Sequence, residues 1–516
     1  MDNNDKLVLT LDFGTQSVRS ALVNKKGDIV AIVKKPYVPL YRTPEKGYVE
    51  QDADFYLENA KEALKKLCSE NKDLLPNIVG STITTFRDTS VQLDKDLKPI
   101  RPCILWLDQR LAKASEKLPL IYKILFKIVG MKDTVVLNRR RTAAHWLKEN
   151  ERDTWNKTYK YVNISTYLIY KFTGNLVDSA ANMCGHYPIN YKKKVWYAEK
   201  AMKGIIFGIP KRMLCELKQP GEELGIITDE VADEVGLPHG IKLIGTGSDK
   251  GNETIGLGAL NNETAAVSYG TACSIEVSNQ KYHEPEPFLP AYAASVPGWY
   301  NMEVQVYRGY WMLTWFYKEF ANDLFDAAKI QNIAVEELLN KSLGLIPPGS
   351  DGLIVQPYWG PGLRRPLAKG GIIGFSDIHT RNHLYRAIIE GIAYALREGL
   401  IGIEKSQHHK VKEIKISGGG SMSEAICQIT ADIFGLPVSR VQTFETTTLG
   451  AAISTFVALK EFNDVNEACE NMSHVGMTFY PNEAAHQEYE KLFKIYLKMY
   501  PNLKGTYKAI NTFNKR

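Results

Sequence analysis

Two carboxylates and two glycine-hydroxyl turns carry the chemistry legible in this 516-residue chain. Asp12 stands two residues before Gly14-Thr15-Gln16-Ser17, at the end of the apolar alternation Leu7, Leu9, Leu11. A similar phrase follows Ala265-Ala266-Val267 as Ser268-Tyr269-Gly270-Thr271-Ala272-Cys273-Ser274, so Gly270 lies 256 positions after Gly14, close to half the chain. Each copy reads as strand, tight turn and return strand, the return strands being Ala21-Leu22-Val23 and Ile275-Glu276-Val277. A glycine followed by hydroxyl residues lets backbone N–H groups approach an anion and adds further donors. Two such turns facing each other would clamp a polyphosphate. An acid beside phosphate calls for a divalent cation between them, so Asp12 implies Mg²⁺; the plainer alternative is an Asx-turn residue capping the hairpin. Asp249 ends a second apolar run, Leu243-Ile244-Gly245, through Thr246-Gly247-Ser248. There a carboxylate could take the proton of a hydroxyl attacking a γ-phosphate, or could cap a helix over residues 250–259.

A third element is Gly418-Gly419-Gly420-Ser421, between the apolar Ile414-Lys415-Ile416 and a helical stretch over 423–434. Bare backbone and a helix start make a surface where a flat ring can lie, although a plain strand-to-helix turn reads the same way. The chain lacks G-x-x-x-x-G-K-[ST], and its triple glycine lacks the G-x-G-x-x-G spacing of a dinucleotide site.

These pieces need a scaffold. Periodicity predicts helices over 52–75, 141–151, 163–172, 310–324, 383–405, 423–434 and 447–460, alternating with strands such as 79–86, 243–245 and 414–416, which is an α/β pattern. The length exceeds one hydrophobic core, and the cluster Gly256, Gly258, Asn261-Asn262 suggests domains over 1–256 and 257–516. Hydrophobic residues make up 44% and charged residues 24%, the balance of a globular protein. Lys and Arg total 64 against 58 acids, and the resulting +6 is too dispersed to argue for nucleic acid or a membrane surface. The polar start Met1-Asp2-Asn3-Asn4-Asp5-Lys6 is unlike a signal peptide, and no apolar run approaches a membrane span. Seven scattered cysteines without Cys-x-x-Cys spacing predict reduced thiols and no cysteine metal site, hence a cytoplasmic enzyme.

Taken together, the Asp-x-Gly-Thr-x-Ser opening, the Gly247-Ser248-Asp249 segment, the second Gly-Thr turn and the glycine triplet resemble the FGGY carbohydrate kinases. So do Tyr48-Val49-Glu50-Gln51-Asp52, Trp106-Leu107-Asp108-Gln109-Arg110, the stretch from Gly371 to Glu390, and Glu445-Thr446-Thr447-Thr448-Leu449-Gly450-Ala451-Ala452. The motifs run in order from about residue 6 to 460. The resemblance implies two ribonuclease-H-like domains of the actin and hexokinase type, closing on ATP and a small-molecule sugar or polyol. A homodimer is left open.

Position by position, the resemblance implies Asp249 as general base and Asp12 as Mg²⁺ ligand. Gly14, Thr15, Gln16 and Arg19 would meet the phosphates from one side, Gly270 and Thr271 from the other. Gly419, Gly420 and Ser423 would lie along the adenosine. Arg87 and Asp88 stand where glycerol kinases have an Arg-Glu pair; adjacent donor and acceptor groups suit a vicinal diol, while an internal ion pair is the plainer reading. Trp106 would supply an apolar wall, or else is simply core. Ser274 replaces a phenylalanine of the glycerol kinases and so leaves room for a larger acceptor. Arg139-Arg140-Arg141 reads first as a solvated face; a member pointing into the cleft could recognise a carboxylate or phosphate. The expected reaction is phosphorylation of a terminal primary hydroxyl of a four- to six-carbon ketose or polyol, with a sugar acid as runner-up acceptor. A non-catalytic actin-like ATPase or sugar sensor is the alternative from another class.

Overall fold

The computed structural model describes residues 6–114, 118–286, 289–360, 362 and 365–513. Two large sheets repeat one plan. In the first, the order across the sheet is Glu223–Ile226, Lys242–Ile244, Ile78–Thr85, Leu7–Phe13, Ser17–Asn24, Ile29–Pro36. Leu7–Phe13 pairs antiparallel with Ser17–Asn24, placing Asp12 opposite Arg19, and parallel with Ile78–Thr85. In the second, the order is Tyr292–Ala293, Tyr300–Val306, Cys273–Asn279, Thr264–Tyr269, Glu413–Ser417, Val438–Val441, Val475–Phe479. Thr264–Tyr269 again pairs antiparallel with the strand after its turn and parallel with Glu413–Ser417. Both hairpins therefore hang their Gly-Thr turns from the central strand of a sheet.

The central strands are buried along their whole length, as expected where helices cover both faces of parallel neighbours. Ala53–Glu70 covers the first sheet with Tyr56, Leu57, Ala60, Leu64 and Leu67 at helical spacing. The 27-residue helix Arg381–Gln407 is the spine of the second. A smaller four-stranded sheet, ordered Glu50–Gln51, Cys103–Ile104, Ser90–Leu93, Lys160–Asn163, extends the N-terminal half and carries the segment leading to Trp106.

The two halves touch through a pair of helices, Asp249–Gly256 and Thr446–Ala458. A Cβ on Gly256 would stand 1.9 Å from the Thr446 carbonyl oxygen, and one on Gly450 would stand 1.8 Å from that of Asn252. Only glycine allows backbones this close.

Three boundaries differ from the sequence reading. The helix expected over 52–75 ends at Glu70, and Lys72–Asn77 is a 3-10 turn containing Pro76, because proline cannot donate within a helix. The helix expected over 141–151 spans Ala143–Asn150, and a separate helix, Lys132–Arg141, precedes it across an extended Thr142. The aromatic helix expected over 310–324 spans Trp311–Phe320. All seven cysteines are free thiols and six of them are buried. Among the described residues, no helix is long and apolar enough to cross a membrane.

Candidate active site

The first Gly-Thr turn closes on itself, the Gly14 N–H donating to the Ser17 carbonyl at 3.0 Å, while the Gln16 carbonyl accepts from Tyr37 N–H at 2.9 Å. Asp12, 4% exposed, ends the strand beneath it. Its carboxylate makes no Asx-turn; Arg19 reaches it at 3.5 Å and pairs with Glu445 of the other half at 2.6 Å. Burial pushes the Asp12 carboxyl up to about 7, Arg19 opposes this, and Asp249, Glu445 and Glu253 add to it. So many carboxylates around one acid leave a deficit of positive charge at this turn. Among the described residues no cluster of three His, Cys, Asp or Glu side chains placed to hold a metal ion occurs.

The second turn is fixed from behind: the carbonyls of Gly270 and Thr271 accept from Tyr310 and Trp311 N–H at 3.1 and 3.3 Å. Tyr310 stacks on Tyr269, ring centroids 4.9 Å apart. That stack also underlies the glycine triplet, since a Cβ on Gly420 would stand 2.4 Å from the Tyr310 ring. Gly418 adopts a left-handed φ of +81° against the Tyr269 backbone, and a Cβ on Gly419 would meet nothing within 4 Å. Gly419 is thus a bare, open backbone step, and Ser423 caps the following helix by accepting from Ile426 N–H at 3.4 Å.

Asp249 is the first residue of its helix, not the cap; Ser248 holds the cap position. Its carboxylate accepts from Lys250 N–H at 2.8 Å and lies 3.9 Å from the Arg87 guanidinium. Burial raises its carboxyl above the ordinary range, against Arg87 and Lys250. A half-buried carboxylate with a neighbouring guanidinium has the chemistry of a general base.

Arg87 and Asp88, adjacent in sequence, take different partners. Arg87 donates to Ser248 Oγ at 2.9 Å, pairs closely with Glu303, lies 3.7 Å from Glu276, and sits over the Tyr292 ring at 5.3 Å. It therefore bridges the two halves, because Glu276 and Glu303 come from the second sheet. Burial and the Glu303 charge push Glu276 up to about 8. Asp88, strained at φ 52°, faces elsewhere and accepts from the backbone N–H of His186 at 2.9 Å and from its Nδ1 at 2.6 Å. Gly185 must be glycine here, since a Cβ would meet the Asp88 carboxyl carbon at 2.4 Å. Trp106 joins wall and turn, its indole N–H donating to Thr15 Oγ1 at 3.2 Å. Ser274 is buried on the strand that carries Glu276, and the two share one face by the two-residue period.

The arginine run is not one solvated face. Arg139 is buried, Arg140 donates to the Ala112 carbonyl at 3.1 Å, and Arg141 sits over the Tyr307 ring at 5.7 Å, across the cleft from its own half. Burial raises the Tyr307 hydroxyl, with Arg141 opposing and Glu303 and Asp88 adding to the rise. Tyr307 thus belongs to this wall. Burial, and then Arg141, lowers the neighbouring Arg308. His186, Lys250, Glu253, Glu276 and Glu303 were not singled out by the sequence reading; Glu276 and Glu303, charges on the strands Cys273–Asn279 and Tyr300–Val306, gave a local signal.

Comparison with known proteins decides the family. The family model "FGGY family of carbohydrate kinases, N-terminal domain" matches residues 7–256, and the corresponding C-terminal domain model matches residues 265–459. The chain belongs to the FGGY family of carbohydrate kinases. It is a carbohydrate kinase, and FGGY kinases phosphorylate sugars with ATP, generally with Mg²⁺. The chain is 29% identical to the uncharacterized sugar kinase YgcE of Escherichia coli (strain K12) over 497 residues, 95% of this chain and 92% of that protein. It is 27% identical over 514 residues to the xylulose kinase of Lactococcus lactis subsp. lactis (strain IL1403), 98% of this chain and 99% of that one. The crystal structure of a gluconate kinase from Lactobacillus acidophilus superposes with a TM-score of 0.81 at 23% identity, covering 98% of this chain and 99% of that one. That likeness shows the fold, two actin/hexokinase-type domains about a cleft.

Proposed function

We propose that this FGGY kinase transfers the γ-phosphoryl group of ATP to a terminal primary hydroxyl of a neutral ketose or polyol of four to six carbons. The observation that carries the reading is Asp249: a half-buried carboxylate, its side chain 28% exposed, 3.9 Å from Arg87. It is close enough to Asp12 to raise it, and is followed by Lys250, which reaches Ser268 at the second turn. In this reading Asp249 takes the proton of the attacking hydroxyl, and a primary hydroxyl is the least hindered to align with the phosphorus. Gly14, Thr15, Gln16 and Arg19 receive the phosphates on one side, Gly270 and Thr271 on the other, and Gly419, Gly420 and Ser423 receive the adenosine. Asp12 would hold Mg²⁺, which supplies neutralisation of phosphate charge when bound. Asp88, oriented by His186, and Trp106 form the acceptor wall, while Arg87 positions Asp249. Small Ser274 leaves volume for a chain longer than three carbons. Xylulose kinase among the relatives is consistent with a ketose.

One observation favours a second reading, a sugar acid: Arg141 reaches across to Tyr307 beside Arg308, and a gluconate kinase shares the fold. ADP release with ATP and Mg²⁺ across pentuloses, hexuloses, polyols and aldonates separates the two. A neutral ketose or polyol is expected to give the highest kcat/KM, and Arg141→Gln to leave its KM nearly unchanged. An aldonate as best acceptor, lost in Arg141→Gln, would replace the first reading with the second.

A further inference from the structure

We propose that Lys250 is a catalytic residue whose ammonium group contacts the transferring phosphoryl group at the second Gly-Thr turn. The inference rests on the kinase reading above.

Lys250 follows Asp249 on the first turn of the helix Asp249–Gly256, so base and ammonium leave adjacent backbone positions. Their side chains diverge. Asp249 turns toward Arg87, while Lys250 Nζ runs to the end of Thr264–Tyr269, where it donates to Ser268 Oγ and, at 2.7 Å, to Glu253 Oε2. There Nζ lies 3.8 Å from where a Cβ on Gly270 would stand. Glu253 Oε1 in turn accepts from Ser268 Oγ at 2.9 Å and Ser417 Oγ at 2.6 Å, so the ammonium is held in place by two strands of the second sheet. The Lys250 side chain keeps 17% exposure, enough for a ligand to reach it. Burial pulls Lys250 down, but Glu253 and Asp249 more than restore it and keep it charged.

The charge distribution gives the reason for a cation here. Arg19 serves the first turn and is shared with Asp12 and Glu445; Arg87 is occupied by Glu303. Lys250 is the cation placed against the second turn. In the transfer, the acceptor oxygen bonds to the γ-phosphorus as the bond from that phosphorus to the β–γ bridging oxygen breaks. The hydroxyl proton goes to Asp249 and ADP departs. Charge spreads over the three equatorial oxygens, where a preorganised ammonium lowers the barrier without reorganisation. Glu253 holds the ammonium until the phosphoryl group competes for it.

A Lys250–Glu253 pair that only ties the halves together through Ser268 and Ser417 predicts different behaviour, and nucleotide binding separates the two without any acceptor. Isothermal titration of Lys250→Met is expected to leave the ADP Kd within about twofold and to weaken AMP-PNP by about tenfold, the worth of one charge-assisted contact. With the acceptor found in the panel, kcat is expected to fall about 10²- to 10³-fold at nearly unchanged acceptor KM. ADP and AMP-PNP weakened alike, or AMP-PNP unchanged, would overturn the proposal. Should Lys250→Met fail to fold by circular dichroism, Lys250→Gln decides by the same comparison: AMP-PNP weakened about tenfold with ADP within about twofold is expected, and both weakened alike or AMP-PNP unchanged would overturn the proposal. Wild-type protein that binds nucleotide but phosphorylates nothing in the panel would count against the acceptor reading and leave the nucleotide comparison decisive for Lys250.

Discussion

In the N-terminal half, the strand leading into the Gly-Thr turn ends in Asp12-Phe13; in the C-terminal half the matching positions are Ser268-Tyr269. The parallel neighbour of the first strand runs out into Arg87-Asp88, whereas its counterpart runs out into Gly418-Gly419-Gly420. The strand Lys242–Ile244 of the first half leads to Asp249 and its helix; Val438–Val441 of the second leads to Glu445 and Thr446–Ala458. In the function proposed above, one scaffold serves two recognition problems: the first half would present charges for proton transfer and for a cation, the second bare backbone and hydroxyls for phosphate and a flat ring. The cations of the first half meet carboxylates of the second: Arg87 meets Glu303 and Glu276, and Arg19 meets Glu445.

The compensation can be broken at Arg87. Arg87→Met leaves Glu303 buried opposite Glu276 without a cation, and removal of one partner of a buried pair costs about 3–5 kcal/mol. Chemical denaturation is expected to show a loss of that order; a change under about 1 kcal/mol would mean that the halves are not tied there. A purely steric break is Gly450→Val, which forces apart the helices that meet at Gly256 and Gly450. Overpacking of this kind is expected to cost about 3 kcal/mol, with lowered Tm as the readout.

The common plan of the halves was legible from sequence, because a repeated Gly-Thr phrase after an apolar run needs only local information. The positions of Asp12 and Gly270 at strand ends follow from those phrases, and those of Asp249 and Gly419 from the apolar runs that precede them. The wiring between halves was not. Nothing near Arg87 in sequence tells that it meets Glu303, 216 residues later, and Asp88 was read as its partner although His186 claims it. Such pairings are set by strand order and by the packing of two domains. The run Arg139-Arg140-Arg141 likewise looked uniform, and only the break at Thr142 and the cleft beyond it give the three side chains different surroundings.

A finer difference between the halves appears with pH. Glu276, raised to about 8, stays protonated in the folded protein while its unfolded counterpart ionises near 4.5. The unfolded state therefore binds fewer protons between those values, and stability should fall as pH rises from about 5 to 8, then level off. Glu276→Gln, which mimics the protonated acid, is expected to flatten that slope in Tm against pH; an unchanged slope would show that Glu276 is ionised in the fold. The smallest expected effect is at the adenosine side. Ser423→Ala removes the side-chain acceptor for Ile426 N–H and should cost about 1 kcal/mol in stability, with little change in kcat.

The division of labour between the halves stands or falls on Asp249. Asp249→Asn is nearly isosteric and keeps the first-turn position of its helix, but it cannot take a proton. Single-turnover phosphoryl transfer with the best acceptor of the panel should slow at least about a hundredfold, while the Kd for ATP stays within about twofold. Transfer at near wild-type rate in Asp249→Asn would contradict the assignment of the base, and with it the reading of the first half as the charged half of the site.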